Sequence, residues 1–523
     1  METMKLVTAA QMRAIEVSCV EAGVSLDALM ENAGLAVAEA VRDEFWDRNE
    51  LFGKRIVILI GPGNNGADGF VVGRHLTAWG AKVTAVLYAV RKSPDPKRSA
   101  AEQADVTVVD GTTNSGAEKL QQQLETSDLI IDAVLGTGAS RSISEPLSSI
   151  LFMALESAVP VIALDLPTGL NSDTGKFDVA GLPADHTLML GYPKLGPAVV
   201  GDPTITGTVS ILDIGIPDGL DSQLDTDLLT SDLAASYQPE RALDGHKGIF
   251  GSTLIVGGSE EFLGAVAMVT DAATRSGVGL TFVATPEPAY RQIAGNVPEA
   301  LYRSLPVSAN GNLDPSEAAQ IVLETARRST SLVLGPGMGA DPDSSEFLSI
   351  VLSQIDNELP LVLDADALNI LANSHLWWER FENPAVLTPH PGEMGRLMGI
   401  TTEEVQNNRI STTREAANKF GKTVVLKGAA TLIANPDGRL AVSPWINTGL
   451  AKGGSGDVLA GLLGGLLAQE PNELFEMASL AVYTHGYAAE FARLELGETG
   501  MRASDVIDRL GIFYRDFMQD DLD

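Results

Sequence analysis

Apolar positions along this chain follow two patterns that alternate from one end to the other. Between residues 8 and 42, QMRAIEVSCVEAG and LDALMENAGLAVAEAV repeat their apolar positions at helical spacing, predicting amphipathic helices packed on a core. KRIVILIG (54–61) is then a continuous apolar run closed by glycine, and GPGNNGADGFVVGRHL leads from it into another helical pattern. KVTAVLY (82–88), DVTVVD (105–110), DLIIDAVLGTG (128–138) and PVIALDLPTGL (160–170) continue the alternation. Apolar runs of this length predict strands of a parallel sheet covered on both faces, with ligands at the carboxyl ends of the strands.

After DIGIPDGL (213–220) the pattern lapses into DSQLDTDLLTSDLAASYQPERALDGHKG, which is polar and acidic yet too rich in leucine for a free linker. It predicts a joint over 218–244 between a first domain, 1–217, and a second, 245–523. The alternation then restarts. GSTLIVGGS (251–259), GLTFVAT (279–285), SLVLGPGMG (331–339), PLVLDADAL (360–368), PAVLTPHPGE (384–393) and KTVVLKGAAT (422–431) predict the strands of a second α/β domain. TLIANP and RLAVSP add two short β segments, and GGSGDVLAG (453–461) turns into the helical run VLAGLLGGLLA. A chain of 523 residues exceeds one ordinary core, which agrees with two domains.

Composition narrows the function. Asp and Glu number 69 against 36 Lys and Arg, for a formal charge of −33. Such a surface repels nucleic acid and anionic membranes, so an anionic substrate must be held locally by backbone amides and a few basic side chains. The single cysteine, Cys19, excludes an intrachain disulfide and a thiolate metal cluster. METMKLVTAAQMRAIE has no signal-peptide core, and no run approaches ~20 uncharged apolar residues. The expectation is a soluble cytoplasmic protein.

Polar clusters interrupt the pattern at strand ends. In the first half these are Asn64, Asn65 and Asp68; Asp132 with GTGASR (136–141); and Asp165 with Thr168. One such aspartate is most simply a helix cap, but three clusters on one rim point to a ligand site. Oxygen donors from Asn65, Asp132 and Thr168 suit a hard cation, leaving Asp165 as an acid/base. In the second half, the glycines before Asp457 sit at a helix N-terminus, where free N–H groups attract anions. Asp457 is then either a cap or the carboxylate that takes a proton from an attacking hydroxyl, as in kinase-like enzymes. Lys427 ends a strand, where it suits a nucleotide phosphate. His390, between two prolines and near Glu393, is either structural or a substrate contact. GPGMG and DADALN each read equally as a tight turn or cap and as part of a site.

Taken together, MENAG, GPGNNGADG, DAVLGTG and DLPTGLNSDTG resemble the NAD(P)H-hydrate epimerase family over roughly residues 5–215. The resemblance implies a Rossmann-like domain that interconverts the R and S forms of hydrated NADH and NADPH with a bound potassium ion. By position, Asn64, Asn65, Gly66, Ala67 and Asp68 would line the substrate, as would Gly136, Thr137, Gly138, Ala139, Ser140, Arg141 and Ser142. Asn65, Asp132 and Thr168 would hold the cation, and Asp165 would be the catalytic acid/base in contact with substrate. Thr168 stands where the family usually has serine, and it retains the hydroxyl.

KGIFGSTLIVGGS, GPGMG, LDADALN, LTPHPGEMGRL, LKGAAT and GGSGDVLAG likewise resemble the ADP-dependent NAD(P)H-hydrate dehydratase family, with its ribokinase-like fold, over roughly 240–517. Ala265, a glycine of GPGMG (Gly337 or Gly339), His390 and Asp457 would contact the hydrated nicotinamide. Lys427, Gly428, Ala429, Ala430, Thr431 and Gly456 would hold the adenine nucleotide. NTGLAKGG departs from the family's longer NTGNPGMATGG and carries Lys452. The two resemblances imply one repair enzyme for NADHX and NADPHX, using ADP with Mg2+ and K+ and releasing AMP and phosphate. The acidic surface leads to the expectation of no nucleic-acid or membrane partner, and a homo-oligomer is expected. Two other readings stay open: an ATP-dependent ribokinase-type small-molecule kinase with a nucleotide-binding N-terminal domain, which GSGD alone fits equally well, and a chain in which one half only binds.

Overall fold

Among the residues described in the computed structural model (4–46, 50–138, 142–308 and 313–517), the first-half apolar runs become β1 (Arg55–Ile60), β2 (Lys82–Leu87), β3 (Thr107–Asp110), β4 (Leu129–Ala133) and β5 (Val161–Leu164). Two strands without a strong sequence signal, β6 (His186–Leu190) and β7 (Thr208–Leu212), extend them. All pair in parallel in the order β3-β2-β1-β4-β5-β6-β7. The order reverses between β1 and β4, and the crevice at such a switch point is where parallel sheets bind ligands.

β1 shows why the strands read as unbroken apolar runs. Ile56, Ile58 and Ile60 enter one core with Met12, Ile15 and Phe70, while Val57 and Leu59 enter the opposite core with Leu120, Leu124 and Ile150. Helices cover both faces, so neither set of alternate residues is polar. The first helix, Ala9–Glu21, is fixed by a capping box between Thr8 and Gln11.

The chain from Met4 to Leu224 forms one unit, and a second begins at Asp225. The second sheet contains β8 (Thr226–Leu228), β9 (Ser252–Val256), β10 (Leu280–Pro286), β11 (Leu301–Leu305), β12 (Ser331–Leu334), β13 (Leu361–Leu363), β14 (Ala385–Leu387), β15 (Thr423–Leu426), β16 (Leu432–Ala434) and β17 (Leu440–Val442). Their order is β11-β10-β9-β12-β13-β14-β15-β16-β17-β8, with only the β15–β16 and β16–β17 pairs antiparallel.

The middle of the 218–244 joint therefore belongs to this second sheet. β8 pairs with β17, and the short helix Ser231–Ser236 follows it. The physical reason lies in the leucines of the joint: Leu229, Leu233 and Ala234 are buried in the second core.

The long helices Ser455–Gln469 and Leu474–Leu496 cover one face of the second sheet over Ile255, Val333, Val362, Val386 and Val425. A Cβ on Gly461 would fall 2.1 Å from the Val269 carbonyl, so helix Ser455–Gln469 lies backbone-close against helix Leu263–Thr274. That approach brings Asp457 and Ala265, each in the first turn of its helix, to the same end of the sheet. No described helix is long and apolar enough to cross a membrane.

Candidate active sites

In the first domain a cavity of about 430 Å³ opens at the carboxyl ends of β1, β4 and β5. Asn64, Asn65 and Asp68 line it from the start of helix Asn64–Ala78, Gly136, Thr137 and Gly138 from the loop after β4, and Asp165 from the end of β5. Gly66 and Ala67 are buried beneath this lining. A Cβ on Gly66 would come 2.0 Å from the Gly61 carbonyl, so the turn into the helix requires glycine there. Ser142 is exposed beyond the cavity, and Ala139, Ser140 and Arg141 lie outside the described residues. Arg91 fixes the loop below by donating to the carbonyls of Gly61 and Gly63.

Asp165 occupies a left-handed backbone conformation (φ 67°), which is uncommon for a non-glycine residue and concentrates at functional sites. Its Oδ1 lies 2.5 Å from the Nζ of Lys194, a lysine that is 1% exposed. Burial raises the carboxyl pKa of Asp68 well above the usual range, helped by the charges of Asp165 and Glu16. Burial also raises Glu16, with Asp165 adding to the rise and Lys194 and Arg13 opposing it. Glu16, Arg13 and Lys194 all line the cavity, and the sequence reading missed all three. The first two lie in a helix whose periodicity signals only packing. Lys194 follows a strand, HTLML, that carries a histidine and a threonine.

Asp132 and Thr168, two of the expected cation ligands, are bonded to each other. Thr168 donates from its backbone N–H to Asp132 Oδ2 (2.7 Å) and from its hydroxyl to Oδ1 (2.7 Å). Asp132 is fully buried, and burial pushes its pKa up to about 6 against these donors and the Val134 N–H. Asn65, the third, adjoins the same loop: a Cβ on Gly136 would meet its side-chain carbonyl carbon and Asp165 Oδ2 at 3.3 Å each. The buried Nδ2 of Asn65 has no protein acceptor, so the protein alone leaves this amide incomplete. The donor set is carboxylate, hydroxyl and amide, all hard, and it fits a hard cation. Among the described residues no cluster of three or more His, Cys, Asp or Glu side chains is gathered as a metal site.

The second site lies at the corresponding end of the second sheet. Asp457 occupies the first turn of helix Ser455–Gln469, and a Cβ on neighbouring Gly456 would lie 3.3 Å from Lys427 Nζ. Lys427 directly follows β15 and forms a 2.7 Å ion pair with buried Asp364, with Glu393 at 4.0 Å. Burial alone would lower the lysine pKa, but Asp364 and Glu393 hold it above its ordinary value. Burial and the charge of Asp364 push Asp457 up to about 7, against the pull of Lys427. Glu393 also rises to about 7 by burial.

His390 caps helix Pro391–Met398, its Nδ1 accepting from the N–H groups of Gly392 (3.0 Å) and Glu393 (3.3 Å). Those bonds place its proton on Nε2. Burial, with Lys427 and Arg396, lowers its pKa, so the ring is neutral near pH 7. Gly337 packs on Ala265, the Cβ position of the glycine falling 3.0 Å from that of the alanine. Gly339 donates its N–H to Asp366 Oδ2 (2.9 Å). DADALN thus supports GPGMG.

The loop Lys427–Thr431 rests on Arg409, whose guanidinium donates to the carbonyls of Leu426, Lys427 and Ala430. Ala430 is buried and Ala429 is exposed, while Thr431 bonds back to the Gly428 carbonyl. Lys452, in the shortened stretch, donates to the carbonyls of Thr499 (2.7 Å) and Met501 (2.5 Å) and so fastens that loop to the turn after helix Leu474–Leu496. His485 on that helix is buried near Ser455, and burial lowers its pKa to about 4.

Residues 26–196 match a family model described as YjeF-related protein N-terminus, and residues 253–511 match one described as NAD(P)H-hydrate dehydratase. The bifunctional NAD(P)H-hydrate repair enzyme Nnr of Moorella thermoacetica is 35% identical over 99% of this chain and 98% of its own. The enzyme of the same name from Salinibacter ruber is 34% identical over 97% of this chain and 95% of its own. Among solved structures, an ADP/ATP-dependent NAD(P)H-hydrate dehydratase from Bacillus subtilis, co-crystallised with ATP and Mg2+, is 30% identical, with a TM-score of 0.47 over 55% of this chain and 97% of that one. Identity at this level runs through both domains, the Rossmann-like first and the ribokinase-like second, and this chain belongs to the family of bifunctional NAD(P)H-hydrate repair enzymes.

Proposed function

We propose that the first domain interconverts the R and S forms of hydrated NADH and NADPH, and that the second dehydrates the S form at the expense of ADP, releasing AMP and phosphate. The observation that carries this reading is the approach of Lys427 Nζ to Gly456, beside Asp457, where the two charges act on each other. It puts a carboxylate of raised proton affinity and a lysine ammonium suited to a phosphate at one helix N-terminus. Asp457 takes the proton of the ring hydroxyl as its oxygen attacks the terminal phosphoryl group of ADP, and AMP leaves. Loss of phosphate from the ring, with a proton from the neighbouring ring carbon passing to the departing phosphate or to water, then restores the double bond. Lys427 and the amides of the Gly428–Thr431 loop hold the nucleotide phosphates. The carboxylates of Asp364 and Asp366 are already engaged, so Mg2+ would arrive on those phosphates with its own waters.

In the first site, Asp165 takes the hydroxyl proton of the hydrated ring. The carbon becomes a carbonyl, its bond to the ring nitrogen breaks, and the nitrogen takes the proton back. Reclosure on the other face gives the other epimer. Asn65, Asp132 and Thr168 would hold K+, which supplies a fixed positive charge beside the substrate. Cytoplasmic residence and self-association complete the reading. A single buried cysteine supports the first, and exposed Phe152 and Leu155 on one helix support the second.

The test uses purified protein with both epimers of hydrated NADH, Mg2+ and K+, following the return of reduced-nicotinamide absorbance with ADP and then with ATP. Recovery beyond the S fraction, faster than spontaneous epimerisation, is the expected result. Recovery that stops at the S fraction makes the first domain silent. No recovery, with a stable phosphorylated product, returns the small-molecule kinase.

A further inference from the structure

Asp165 has two carboxylate oxygens in unequal surroundings. Oδ1 accepts from the Leu190 N–H at 3.2 Å and lies 2.5 Å from Lys194 Nζ. Oδ2 accepts no hydrogen bond among the described residues and faces Gly136 in the cavity wall, 3.3 Å from where a Cβ would stand. Lys194 is held from several directions. Its Nζ donates to the Leu190 carbonyl (2.8 Å), and the backbone on either side of it bonds to Val7 through Val7 N–H to Pro193 O (3.1 Å) and Leu195 N–H to Val7 O (3.0 Å). The aspartate backbone is tied as well, its N–H donating to Leu188 O at 2.8 Å.

We propose that Lys194 is a positioning residue of the epimerisation site: it locks Asp165 Oδ1 in place and leaves Oδ2 as the oxygen that moves the proton. The proposal rests on the epimerase reading of the first domain. The other charged groups lining the cavity are Glu16 and Arg13 of helix Ala9–Glu21 and Asp68 of helix Asn64–Ala78. Two of these three are acids, and Lys194 is the buried cation among them. In the reaction, Oδ2 takes the hydroxyl proton as the ring carbon–nitrogen bond breaks. It returns that proton to the released nitrogen, and Oδ1 stays paired with the lysine throughout.

The experiment measures epimerisation of the R form by full-length wild-type chain, Lys194→Met and Lys194→Arg. Dehydration of purified S form serves as the control for the second domain, and near-UV circular dichroism as the control for folding. In Lys194→Met, kcat should fall about a hundredfold with KM within about threefold, the range a positioned proton-transfer group supplies. Lys194→Arg should recover part of kcat. A folded methionine variant with wild-type kcat overturns the proposal, as does one whose loss falls on KM, or an arginine variant no better than methionine. If the methionine variant does not fold, the arginine variant decides: a raised KM with unchanged kcat overturns the proposal, and a reduced kcat with KM within about threefold upholds it. A wild-type chain that leaves the R form untouched sinks the epimerase reading itself, a different result from any of these.

Discussion

Lys427 Nζ stands 2.7 Å from Asp364 Oδ1, and the aspartate is 2% exposed. Thr388 donates its hydroxyl to the same oxygen at 2.8 Å, so the carboxylate is held from two sides and the ammonium is aimed past it toward Gly456 and Asp457. The lysine is thus the counterion of an acidic group of three, Asp364, Glu393 and Asp457, as well as a candidate phosphate ligand.

Lys427→Met should therefore destabilise the second domain by about 3–5 kcal/mol, the usual cost of stranding a buried charge. Dehydration should be lost and epimerisation spared. Urea unfolding of the full chain, followed by tryptophans of the second domain such as Trp377 and Trp445, checks the first part. An unmoved midpoint would show that water already reaches Asp364.

The proposed base, Asp457, must be ionised to take a proton, and burial with the charge of Asp364 pushes its pKa up to about 7. The kcat/KM for dehydration should rise about tenfold per pH unit below that value and level off above it. Asp457→Asn should remove dehydration by a factor of about 10²–10⁴ while leaving epimerisation unchanged. Loss of both activities would contradict the division of labour. Stability should run the other way. The folded domain keeps a proton that the unfolded chain gives up near pH 4, so the stabilising effect of that proton fades as pH rises from about 4 to about 7. The asparagine variant lacks this loss and should be the more stable protein at pH 8, which thermal unfolding at pH 5 and pH 8 measures.

Much of both sites is legible in the sequence because the strands are buried on both faces. An apolar run that stops at Asp132, Asp165 or Lys427 marks a strand end, and in a parallel sheet those ends share one rim. Lys194 and Arg409 escape that logic. Lys194 acts across the fold on a residue 29 positions earlier, and Arg409 acts from a helix through backbone carbonyls, which leave no mark on the side-chain pattern. The joint misleads for a related reason. β8 is three residues long, too short to show a period, and only the burial of Leu229 and Leu233 reveals that it completes a sheet.

Gly428 has φ 143°, and a Cβ there would lie 2.7 Å from Arg409 Nη1. Gly428→Ala strains the backbone and pushes away the guanidinium that gathers the Leu426, Lys427 and Ala430 carbonyls. Because that loop is the proposed phosphate cradle, ADP affinity should fall about tenfold, near 1.4 kcal/mol. Titration calorimetry with ADP and Mg2+ reads this directly. Unchanged affinity would mean that the nucleotide does not rest on this loop.

Thr168 is the hinge of the proposed cation site, since its hydroxyl donates to Asp132 Oδ1 (2.7 Å) while accepting from the Leu135 N–H (3.1 Å). Thr168→Val leaves that N–H without an acceptor and takes from Asp132 Oδ1 one of its two donors, the other being the Val134 N–H, at a cost of about 1–3 kcal/mol. Thr168→Ser keeps both bonds. A cation bound only by the folded domain raises its melting temperature in proportion to the logarithm of its concentration above the dissociation constant. The first domain of wild type and Thr168→Ser should therefore melt higher in KCl than in choline chloride of equal ionic strength, and Thr168→Val should not. A valine variant that keeps the potassium shift would move the cation away from Asp132 and Thr168. A wild type with no shift would leave their mutual hydrogen bonds as a purely structural tie between β4 and the turn after β5.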